Sequence, residues 1–210
     1  MNIDQWISAW GADRLIRPQA IRGLPIAASE FIRSYGMPGR VIFEGGEVAT
    51  SGGITFEVSF AALSHPLRRY SQLISGSPNP ELDRSWSEQL VIAEEDFCNG
   101  SASYCVQRVR GTVTRIDVEL PKPEKFVNST VEQFAHALLL ATQWSAANRQ
   151  QDPQVWKRSL AALAGALQYL DANSFGDRRM FWPSLIEWIT DAGPDSLDIT
   201  SDPMRSKPRF

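Results

Sequence analysis

The stretch that decides the fold is Glu94–Trp144, EEDFCNGSASYCVQRVRGTVTRIDVELPKPEKFVNSTVEQFAHALLLATQW. Its acidic opening and Asn99-Gly100 read as a polar turn. Tyr104 to Val109 and Thr112 to Glu119 follow as two β-prone runs joined at Arg110-Gly111. Pro121 and Pro123 are expected to end the sheet, because proline cannot donate to a ladder. Phe126-Val127-Asn128-Ser129-Thr130 then opens a helix. Ser129 and Glu132 have capping-box spacing, and Val131, Phe134, Ala135, Leu138, Ala141 and Thr142 line one face. A β-hairpin that feeds an amphipathic helix predicts an α+β domain.

Upstream, Leu90 to Ala93 reads as a short buried strand. In Ile54 to Phe60, Ile54, Phe56, Val58 and Phe60 alternate with Thr55, Glu57 and Ser59, the pattern of a sheet with one wet face. Val41 to Glu44 is its expected hairpin partner. Gly45-Gly46 and Gly52-Gly53 bracket the connection, with no Gly-Lys-Ser or Gly-x-Gly-x-x-Gly to make a phosphate cradle. This predicts a mostly antiparallel central sheet of about five or six strands. Ahead of it, helical spacing recurs in Ile3, Trp6, Ile7 and Trp10 before Gly11. It recurs again after Gly23-Leu24-Pro25 in Ala27, Ala28, Phe31, Ile32 and Tyr35.

Behind the sheet, Asp152-Pro153 supplies an N-cap carboxylate and a first-turn proline to a helix that turns Trp156, Leu160, Leu163, Ala164 and Leu167 inward. A last helix from Pro183 carries Trp182, Leu185, Ile186 and Ile189 and stops near Gly193-Pro194. Ser64 to Glu88, with Pro66, Pro78 and Pro80, reads as an irregular region. The expectation is one domain over 1–199 with a helical part at 129–193, followed by a disordered tail at 200–210.

With 43% apolar and 21% charged residues, the 210-residue chain can bury a sizeable core. Twenty-one Lys and Arg against 24 Asp and Glu give a formal charge of −3, which offers no electrostatic basis for direct nucleic-acid binding. No apolar run reaches the roughly 20 residues of a membrane span, and Met1 to Gly11 lacks a secretory pattern. These features predict a cytoplasmic protein without a membrane partner.

The residues name no catalytic site, cofactor or metal. His65 and His136 lack companions at ligand spacing, and Cys98 and Cys105 match neither a redox pair nor half a zinc site. Glu94, Glu95 and Asp96 read as a solvated turn, as contacts for a basic protein, or as a metal or acid/base pair. Trp86, set in Glu81-Leu82-Asp83-Arg84-Ser85, reads as either a core plug or an interface anchor.

Gly23-Leu24-Pro25, Leu90-Val91-Ile92, Gly111-Thr112-Val113, Phe126-Val127-Asn128-Ser129-Thr130 with Phe134, and Asp171-Ala172-Asn173 through Phe181-Trp182 and Trp188-Ile189 together resemble the SUKH superfamily, in its larger immunity branch. The resemblance covers most of Ile21 to Gly193. Gln107-Arg108-Val109-Arg110 replaces an acidic residue before the hairpin glycine, and Ala93-Glu94 replaces a glycine after the Leu-Val-Ile strand. The resemblance implies a strongly bent sheet flanked by helices, and a non-enzymatic immunity protein that binds and neutralises a cognate toxin, such as a nuclease. The alternatives are a regulatory or secretion adaptor of the same fold and an enzyme. Glu81, Asp83, Trp86, Glu94, Glu95 and Asp96 are the expected partner-binding residues, on a monomer or weak dimer.

Overall fold

The computed structural model describes residues 1–19, 21–45, 54–73, 80–97, 100–120, 122–148 and 152–192. Helix α1, Ile3–Trp10, starts on a capping box: Asn2 Oδ1 accepts from the Gln5 amide at 2.9 Å and Asn2 N donates to Gln5 Oε1 at 3.0 Å. It buries Trp6 and Trp10 and leaves Ile3 exposed. Strand β1, Leu15–Ile16, pairs with β2, Met37–Pro38, across helix α2, Ile26–Tyr35, which buries Ala28, Phe31 and Ile32.

The main sheet is an antiparallel meander. Its strands β3 (Arg40–Gly45), β4 (Ile54–Ser59), β5 (Gln89–Phe97), β6 (Gly100–Gln107), β7 (Val113–Ile116) and β8 (Glu124–Asn128) lie side by side in chain order. β3 and β4 pair from Arg40 with Ser59 to Gly45 with Ile54, so the alternating run does form a hairpin. The intervening loop, with Gly46, Gly52 and Gly53, lies outside the described residues, as do Cys98 and the predicted tail. At the β6–β7 turn Gln107 Oε1 accepts from the Val109 and Arg110 amides, and Gly111 takes φ 75°, which favours glycine.

Expectations about the sheet and the segment before it need correction. Glu94-Glu95-Asp96 is not a turn but the interior of β5, where the ladder with β4 and β6 satisfies its backbone. The sheet does not end at Pro123. That residue's carbonyl accepts from Asp117 N at 2.9 Å, and β8 begins at the next residue, where proline's missing donor no longer matters. Ser64 to Glu88 is not irregular throughout: it contains a 3-10 turn at Tyr70–Gln72 and helix α3, Pro80–Ser87.

Helix α4, Val131–Ala147, is capped by Thr130 rather than Ser129, with Thr130 Oγ1 accepting from Gln133 N at 3.1 Å. Its burial is wider than one stripe and includes Ala137, Leu139, Trp144 and Ser145, because it packs against β3 and β8 as well as α2 and the next helix. That helix, α5, Pro153–Leu170, has the expected Asp152 cap and buries Trp156, Leu160, Leu163 and Leu167. Helix α6, Phe181–Ala192, carries Pro183 in its first turn and buries Phe181, Trp182, Leu185 and Ile189.

The two faces of the sheet have different covers. Residues of α1, α2, α4, α5 and α6 join Val41, Val58, Ala93, Tyr104, Val106 and Val113 in the large core. On the opposite face Trp86 from α3 and Tyr70 pack onto Val91, Cys105 and Ile116. The chain is an α+β single domain whose helices lie mainly on one side of a six-stranded antiparallel sheet.

Candidate partner-binding face

Polar residues of the quoted motifs are directed inward. Asp171, the residue after α5, accepts from Asn128 Nδ2 at 3.2 Å, the Ser129 amide at 2.6 Å and Ser129 Oγ at 2.9 Å. Asn128 Oδ1 accepts from Trp182 Nε1 at 3.0 Å, and Asn173 Nδ2 donates to Ser129 Oγ at 3.1 Å. Asn128, Asp171 and Trp182 are all buried. The network therefore ties the end of β8 to the α5–α6 connection. It leaves these groups partnered inside the fold, in a structural arrangement.

The acidic run divides between the two faces. Glu94 is exposed and lies 3.9 Å from Arg68, whereas Glu95 is buried beneath the helical layer. Arg115 donates to Glu95 through Nε at 2.7 Å and Nη2 at 2.9 Å, and Tyr104 Oη donates to Glu95 Oε2 at 2.9 Å. Arg115 also reaches Asp117 at 3.3 Å. Burial works against the Arg115 charge, but Glu95, Tyr104 and Asp117 outweigh it and raise its pKa. Burial, then the Glu95 charge, holds the Tyr104 phenol well above its usual value.

Ordinary strand alternation sends Glu94 and Glu95 to opposite faces, and a β-bulge sets which of them turns inward. The β5–β6 register slips between Val91 and Ala93, so Val91 faces α3, Ala93 joins the large core, and Glu95 follows it inward. Asp96 pairs with Glu57 in the β4–β5 ladder; its side chain, like those of Glu81 and Asp83 on α3, lies outside the description.

Trp86 is not a protruding anchor. It is 4% exposed, meets Tyr70 edge-on at 5.5 Å, and donates through Nε1 to Glu124 Oε1 at 2.6 Å. Pro80 at the start of α3 and the i, i+4 pair Leu82 and Trp86 are the sequence signals that mark this helix. Beside α3, Glu88, Gln89, Thr114, Glu124 and Phe126 line a groove of about 550 Å³. The groove itself was not legible in the sequence, because its residues come from three separated segments.

Little here supports covalent chemistry. Cys105 is buried, and burial, followed by the Glu124 charge, pushes its thiol well above the ordinary range, away from reactive thiolate. Among the described residues no group of three His, Cys, Asp or Glu could hold a metal ion, and no helix is long and apolar enough to cross a membrane.

Comparison with known proteins supplies the deciding observation: a family model described as SUKH-4 immunity protein matches residues 5–188. The chain belongs to the SUKH-4 immunity protein family. No curated protein and no solved structure gave a significant match. The SUKH-4 match runs from α1 into α6, and so takes in both covers of the sheet and the Asn128–Asp171–Trp182 network. Membership supports an immunity role and a toxin as the partner. In this SUKH-4 chain the inward motif groups and the mixed, partly exposed surface around α3 and β5 are separate sets of residues.

Proposed function

We propose that this SUKH-4 protein neutralises a cognate toxin by binding it directly, without catalysis, in the cytoplasm and as a monomer or weak dimer. The observation that carries the reading is the family match over residues 5–188. The proposed contact surface is the face of the sheet that carries α3: Glu81 and Asp83 on the helix, and Glu94 and Asp96 on β5. Of the other expected contacts, Trp86 is buried and supports that surface from within, whereas Glu95 is buried on the opposite face of the sheet.

These four carboxylates suit a basic toxin, a nuclease being one example. Complementary charge speeds encounter, and the bound protein lies across the path of an anionic substrate. The reading is tested by co-purifying the tagged protein with the product of the adjacent gene and by rescuing cells that express that product. A stoichiometric complex that restores growth is expected. No complex and no rescue would sink the toxin reading in favour of a regulatory adaptor.

A further inference from the structure

The groove beside α3 has the chemistry of a socket for one kind of side chain. Its floor is the ladder pair Thr114 and Phe126, and Ser85, Glu88 and Glu124 stand along its walls. Gln89 also lines it. This residue is 95% buried by its 5% exposure, yet its Oε1 is buried with no hydrogen-bond partner. An acceptor in that position costs free energy until a donor reaches it.

The charges around the groove are mixed. Arg108 meets Glu88 from outside the lining at 3.4 Å, and Glu124 accepts from Trp86 Nε1 and, at 3.4 Å, from Ser85 Oγ. Arg110 is exposed and lines the rim. Glu88 already meets Arg108, while Glu124 forms no ion pair with a described residue and leaves that end of the groove a place for a cation. The volume falls within the roughly 300–1,000 Å³ of ligand-sized clefts, large enough for one long side chain.

We infer that this groove receives an arginine side chain from the bound partner, its guanidinium facing Glu124 and Glu88, reaching the Gln89 amide oxygen, and lying against the Phe126 ring. Arginine fits this lining better than lysine. A planar fork of five donors can serve several acceptors at once, and its face stacks on an aromatic ring where an ammonium offers only a point charge. Arginines buried in pockets are also frequent centres of interface energy. The inference rests on the toxin reading for the identity of the partner, but the groove can be tested without it.

The probe is N-acetyl-arginine amide, titrated into the ¹⁵N-labelled full chain, with the neutral N-acetyl-citrulline amide as control. Saturable shifts of the Gln89 and Thr114 amides and of the Trp86 indole N–H are expected with the arginine derivative alone. The double variant Glu88→Gln, Glu124→Gln should lose them while its melting temperature stays that of the parent, since glutamine still accepts from Trp86. Arg110→Ala should bind the probe at least as tightly. Equal shifts with citrulline, no shifts, or loss of binding in Arg110→Ala would each overturn the assignment. With the adjacent gene product as partner, the double variant should bind at least tenfold more weakly, and Glu187→Gln on the exposed side of α6 should bind like the parent. If the parent captures that product and the double variant captures it equally well, the toxin reading stands and the socket fails. If the parent captures nothing, the arginine titration alone decides the socket.

Discussion

Asn128 and Asp171, 43 residues apart in the chain, form a buried hydrogen bond of 3.2 Å, with Trp182 completing the contact on the other side of Asn128. Removing the carboxylate would leave Asn128 and both donors of Ser129 without that acceptor. Asp171→Ala should therefore destabilise the fold by about 3 kcal/mol, given ~1.5–3 kcal/mol for a hydrogen bond to a charged group. At roughly 2–4 °C per kcal/mol for a chain of this size, thermal unfolding should show a loss of about 6–12 °C. An unchanged melting temperature would show that the network contributes nothing.

Glu94 and Glu95 should respond oppositely to substitution. Glu95→Ala leaves the half-buried Arg115 beside Asp117 without its two-point partner, and breaking a largely buried pair costs up to about 3–5 kcal/mol. Glu94→Gln removes an exposed charge, so stability should hold within ~0.5 kcal/mol while association with a basic toxin slows, most clearly at low salt. Denaturant melts and stopped-flow association separate the two effects. Equal stability losses would contradict the division of the run between two faces.

Trp86→Ala should cost about 3–5 kcal/mol, the range for deleting a large aromatic from a core. Trp86→Phe should keep most of the packing on Tyr70 and lose the donor to Glu124, at roughly 1–3 kcal/mol. Chemical denaturation of the two variants checks the order. A stable Trp86→Ala protein that no longer binds its partner would instead make this residue an interface anchor.

His136 on α4 predicts a pH dependence. Its ring lies edge-on to Trp6 at 5.3 Å, and its Nε2 is buried without a partner. Burial lowers its pKa below the ordinary 6.5, assisted by the N-terminal charge and opposed by Glu132. The unfolded chain then binds the proton more readily than the native one. His136 therefore imposes no penalty above pH 6.5, and stability falls as pH drops below that value through the lowered native pKa. Melting curves from pH 7.5 to 5 should show a loss that His136→Gln reduces. The same loss in that variant would assign it to other groups.

The fold was legible wherever apolar period and punctuation agree. The alternation in Ile54 to Phe60 placed β4, and Asp152-Pro153 placed the start of α5, because each element carries its own local cause. β8 was missed because Pro123 precedes a run of only five residues, whose Phe126 and Val127 also read as the approach to a helix. The candidate site was less legible. Trp86 allowed two readings, and the choice between them depended on Tyr70 and Glu124, neither adjacent in sequence. Asp171 looked like one motif residue among several, since hydrogen bonds spanning some forty positions leave no periodicity to read.

The bulge at Ile92 makes one residue of β5 surplus to what a partner meets. Ile92 and Ala93 together stand against Tyr104, and both lie in the large core. With Ile92 deleted, Val91 opposite Cys105 would run straight into Ala93 opposite Tyr104, which is regular alternation, so Glu94 and Glu95 would keep their present faces. A single-codon deletion there would therefore spare the exposed chemistry of the strand and remove only a core side chain, whereas the same deletion in the regular run beyond the bulge would shift the pairing of every residue after it.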